Sequence, residues 1–207
     1  MKVMARRARV AARRAGVEAN ARITGSVAAV IFVLLALEGL TIPAIGRLTT
    51  AHVVIGMMLV PPVLVKTGST GYRFVKYYQG DAAYREKGPP PAALRLLGPF
   101  VVVLTMVVIA SGIALLFVPL HWRGDVMLVH KASFVLWFGA MTLHVLGHIV
   151  ETAKLAPRDW SRRTRRQIAG AGLRQWLLVI CLAGGLLLGI AVAPEVGRFL
   201  ATRAAVH

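Results

Sequence analysis

The stretch HKASFVLWFGAMTLHVLGHIVE, residues 130–151, decides how this chain folds. It is apolar enough to cross a bilayer as a helix, yet it carries His130, His144 and His148. Around it lie four further runs of similar length with almost no charge, in a chain that is 57% apolar. A soluble domain of this size places polar residues in every helical turn. The pattern instead predicts an all-α integral membrane bundle of five transmembrane helices, roughly 23–44, 50–67, 97–118, 126–152 and 175–192.

The net charge of +17 raises the question of nucleic acid, and the placement of that charge answers it. Twenty of the 25 basic residues fall in segments 1–22, 66–95 and 151–174, which alternate with the apolar spans. All three can therefore share one membrane side, as the positive-inside pattern requires. That puts the N-terminus inside and the C-terminus outside, with the basic face on anionic lipid headgroups. No nucleic-acid-reading module is present in the basic runs, so no nucleic-acid partner is expected.

Residues 1–22 read as an uncleaved basic cytoplasmic arm, because the apolar run after it is too long for a signal peptide. Residues 23–193 form the transmembrane domain, and 194–207 a short external tail. Pro61 and Pro62 are expected to kink or loosen the second span, and Gly88 to Pro91 to end any helix before the third. Ser111 and Gly112, and Gly184, Gly185 and Gly189, are small enough for close helix contact. Cys181, the one cysteine, reads as a small packed side chain. The abundance of Ala, Arg, Gly and Pro suggests a bacterial inner membrane.

Ionisable residues within the spans are costly, and each is a candidate for function. They are Glu38, His52, Lys66, His130, His144 and His148. Spans two and four run in the same direction, so His52 and His130 occupy similar depths near the outer side. His144 follows His130 by fourteen residues, nearly on the same face and about 21 Å along the axis. His148 follows by eighteen, five turns and in phase.

Two neutral imidazoles on facing helices suit the axial positions of a haem. With Gly56 one turn after His52, the pattern H-x3-G at His52 and H-x13-H at His130 and His144 resembles the membrane b-type cytochromes, including haem-carrying anchor subunits of formate dehydrogenases and related reductases. The resemblance covers spans two to four. It implies haem b between spans two and four and electron transfer between a quinone and a partner redox protein. Gly56 would give the macrocycle room against the backbone. Di-haem members usually carry a second histidine where this chain has Lys66, fourteen residues after His52, so an inner haem at His144 or His148 lacks an evident pair. Lys66 would meet a haem propionate or lipid phosphate, or ligate iron as a neutral amine. Lys131 would meet a propionate or the headgroups.

Other readings stay open at this point. His144 and His148, with Glu151 a turn away, have the spacing of a Cu or Zn site. The histidines also suit a non-redox membrane scaffold in which they are structural. Glu38 is either a proton acceptor at a quinol site or a protonated carboxyl bonded to a neighbouring helix. His121 and His207 lie outside the spans. The loops leave no room for a flavin, nicotinamide or molybdenum domain, so any substrate chemistry would belong to another polypeptide.

Overall fold

The computed structural model describes the backbone of residues 2–88, 92–160 and 170–204, with the side chains of 2–3, 6–10, 87, 92–94, 148–160, 171 and 203–204 left out. Among the described residues every regular element is a helix: α1 (Lys2–Thr41), α2 (Ile45–Tyr78), α3 (Ala82–Lys87), α4 (Ala92–Phe117), α5 (Arg123–Trp160) and α6 (Ala171–Ala204). Short 3-10 turns at Ile42–Ala44 and Leu120–Trp122 join α1 to α2 and α4 to α5.

Four helical runs are long and apolar enough to cross a membrane: Ala11–Tyr78, Arg95–Phe117, Leu120–Gly147 and Gly172–Thr202. The first is folded in two. Unbroken, its 68 residues would reach about 100 Å, far beyond a bilayer. The turn at Ile42–Ala44, with Pro43 fixing its entry, and the non-helical Leu48 reverse the chain instead. Hydrogen bonds across α1 and α2 show the reversal: Asn20 Nδ2 donates to the Ser69 carbonyl at 3.1 Å, and Thr24 and Ser69 hydroxyls meet at 2.9 Å.

Pro61 and Pro62 do not interrupt α2, whose backbone stays helical through both and departs only at Leu48. Neighbouring helices explain the tolerance, since Pro62 is fully buried against them. α6 likewise continues past Pro194 to Ala204, over residues that the sequence assigns to a tail. Its end is tethered by Arg123, which bonds to Thr202 and stacks its guanidinium 4.8 Å from the Phe199 ring centre.

α2 is the central strut, packed on α1 and α6, while α5 packs on α4 and α1. Glycines bring α6 onto α2. A Cβ at Gly185 would lie 2.6 Å from Met58 Cα, and one at Gly189 would lie 3.0 Å from Val54 Cγ1. Gly184, by contrast, has open space beside it. The two contacts run in opposite directions along the helices, so α2 and α6 are antiparallel. Val27, Ile31, Leu34, Leu59, Val63 and Leu178 fill one core level, and Val101, Leu104, Trp137 and Ala140 another. In lipid such contacts act through close packing, because leaving lipid for protein gains no hydrophobic free energy. Most large apolar side chains on the outer helix faces, such as Leu128, Val135 and Leu143, are correspondingly exposed.

The arm and the α2–α3 corner meet at one end. Arg14 pairs with Glu86 at 2.8 Å and Arg13 with Asp81 at 4.0 Å. Asp81 caps α3 by accepting from the Ala83 amide, and Gly88, at φ 75°, ends it. Continuing the α2–α6 register puts Arg174 level with Ser69, at that same end. The first two basic segments and the start of α6 thus share one end of the bundle, and the Ile42–Ala44 turn marks the other.

Candidate functional site

Two hairpins each deliver one histidine to the same level, near the Ile42–Ala44 turn. His52 lies two turns into α2, opposite the last turn of α1. His130 lies two turns into α5, opposite the second half of α4. Their ring centres are 6.4 Å apart with planes at 88°. The depth argument from the sequence is thereby met: the two side chains face each other.

The neighbouring groups fix where each imidazole carries its proton. Thr41 donates its hydroxyl hydrogen to the Glu38 carbonyl at 2.6 Å. Its oxygen, 2.9 Å from His52 Nδ1, is then left to accept. Glu38 Oε1 lies 3.2 Å from the same nitrogen. Nδ1–H of His52 thus goes to the Thr41 hydroxyl, with the Glu38 carboxyl beside it on α1. On the other ring, His130 Nδ1–H donates to the Val108 carbonyl and to Ser111 Oγ, both at 3.1 Å. Ser111 spends its own hydrogen on the Val107 carbonyl at 2.6 Å. A neutral imidazole protonated at Nδ1 keeps its lone pair at Nε2. Both histidines are therefore prepared as Nε2 donors.

Glycine makes room on both sides. A Cβ at Gly112 would sit 3.0 Å from His130 Cε1, so a larger residue there would press the ring or α4 aside. At Gly56 the space beside the helix is taken by Glu38 Oε1, 3.3 Å from where a Cβ would stand. Gly56 therefore admits a carboxyl from α1, where the sequence suggests a bed for a macrocycle. The other carboxyl oxygen, Glu38 Oε2, is buried with no hydrogen-bond partner among the described residues.

Two neutral imidazoles facing each other across 6.4 Å are a donor pair that would suit a haem. Both nitrogens that would bind are neutral, and both opposite nitrogens are held by acceptors, the usual arrangement behind a ligating histidine.

The other candidates are arranged differently. Lys66 and His144 are half-buried, and each is engaged elsewhere within the fold. Lys131 is exposed beside His130, and His121 is exposed near the α4–α5 turn. The side chains of His148, Glu151 and His207 lie outside the described residues, and with them the proposed Cu or Zn constellation. Among the described residues no three His, Cys, Asp or Glu side chains converge as a metal-ion cage.

Sequence reasoning missed the anchors. Thr41 and the Val108 carbonyl carried no signal of their own, and Ser111 read only as a small contact residue. The clue available was periodic: Thr41 falls one turn after Glu38, on the face that the hairpin folds back upon.

No protein-family model matches this chain, and comparison with curated proteins and with solved structures yields no match either.

Proposed function

We propose that this protein is a membrane b-type cytochrome whose His52 and His130 hold one haem between α2 and α5, and that it passes electrons between a quinone pool and a partner redox protein. The observation that carries this reading is the facing pair of Nδ1-anchored imidazoles, 6.4 Å apart. Haem b supplies a one-electron carrier whose potential follows from its ligands and their surroundings. The chain's own residues would fix the ligand tautomers and set the ring planes. Glu38, at the same centre, is the acceptor for a proton released by quinol. Lys131 is placed to meet a propionate or lipid headgroup. Lys66 and His144 mark an inner level where a second haem would need a ligand pair that the sequence does not supply.

The chain crosses the membrane five times in this reading, with the arm on the inner side and α6 ending outside. Support comes from the fold of the first long run into α1 and α2, and from the gathering of basic segments at one end. A bacterial inner membrane is the setting proposed.

The test is an absorbance spectrum of the purified protein, where a Soret band and a dithionite-reducible α-band are expected. Absence of both sinks the cytochrome reading.

A further inference from the structure

We infer that Glu38 is the positioning residue that makes the two haem ligands electronically unequal, and that Gly56 is there to admit it. This rests on the haem reading above and goes beyond it.

The asymmetry is visible in the anchors. His130 gives its Nδ1–H to neutral acceptors on α4, a backbone carbonyl and a hydroxyl. His52 gives its Nδ1–H to the Thr41 hydroxyl, and a carboxyl oxygen of Glu38 stands 3.2 Å from the same nitrogen. A carboxylate draws that proton more strongly than a carbonyl does, so it pushes electron density through the ring to Nε2. Greater donation favours the oxidised metal and lowers its reduction potential. The apolar setting magnifies the attraction between the carboxylate and a bound cation.

Gly56 completes the arrangement. It shares a face of α2 with His52, one turn away, and Glu38 Oε1 fills the place where its Cβ would press at 3.3 Å. An alanine there would shift the carboxyl by a few tenths of an ångström from its place beside His52 Nδ1, and a bulkier residue by more, without altering a charge or a ligand. The H-x3-G spacing therefore serves the contact between α1 and the ligand.

The experiment is a redox titration of the α-band, with EPR of the ferric form, on the full-length protein. Wild type is compared with Glu38→Gln, Gly56→Ala and Ser111→Ala. The midpoint is expected to rise most in Glu38→Gln and less in Gly56→Ala. Ser111→Ala should move it least, because the Val108 carbonyl still accepts. A merely structural role for Glu38 would reduce haem content and leave the midpoint of the retained haem unchanged. Wild-type midpoints in both Glu38→Gln and Gly56→Ala, with Soret bands intact, overturn this inference and leave the haem reading standing. A wild-type protein without a Soret band overturns both. Should Glu38→Gln fail to fold, Gly56→Ala and Glu38→Asp decide the matter by the same shift.

Discussion

Two levels of the same hairpin make an instructive contrast. Fourteen residues separate His52 from Lys66 on α2, and fourteen separate His130 from His144 on α5. Near the Ile42–Ala44 turn, α1 meets α2 through an imidazole, held by Thr41 and Glu38. Toward the other end, the same two helices meet through ordinary staples, Asn20 to Ser69 and Thr24 to Ser69. Both levels pair polar groups across the helices, but the first brings two imidazoles face to face. Periodicity alone treats the levels as equals. The identity of the second-helix residue, histidine or lysine, separates them.

Breaking the first level should have the largest effect. His52→Ala or His130→Ala should abolish the haem signal, read as loss of the Soret band in membranes. His144→Ala should spare the outer chromophore. A protein stripped of all haem by His144→Ala would reverse the order of the two levels.

Next in size is the seam that holds α2 in place. Gly189→Leu must force Val54 and its backbone away, and overpacking of this kind costs about 1–3 kcal/mol. In a chain of this length that lowers the melting temperature in detergent by several degrees, at about 2–4 °C per kcal/mol. Haem content should fall with it, since His52 lies two residues from Val54 on the same helix. Gly184→Leu, facing open space, is the control and should melt like wild type.

A smaller effect is expected at Ser111→Ala, which removes one of two acceptors for His130 at a cost of about 0.5–1.5 kcal/mol. The smallest belongs to the far end. Arg14→Ala breaks a pair whose side chains are 64% and 61% exposed, worth about 0–1 kcal/mol and less as salt is added. A thermal shift beyond that, or one insensitive to salt, would mean that the arm does more than sit beside α3.

The sequence made the helices and the shared level of His52 and His130 legible, because that level follows from counting residues along the helices. It did not reveal the partners of the rings. Which face of α1 turns toward His52 depends on how Ile42–Ala44 and Leu48 reverse the chain, and that rotation has no periodic signature. Glu38 was visible as a costly residue and not as a neighbour of Gly56. Pro61 and Pro62 each remove a backbone donor, yet α2 stays helical through both, and the tail expected from residue 194 onward is the end of α6.

The hairpins carry one more consequence, for how the molecule is made. His52 and both of its anchors belong to α1–α2, with Glu38 fourteen residues away. His130 and its anchors belong to α4–α5, with Ser111 nineteen residues away. Each half of the pair is thus built within one local hairpin, from contacts close in the chain. On the haem reading, a ligand gripped from both sides would act as the rivet between the two halves.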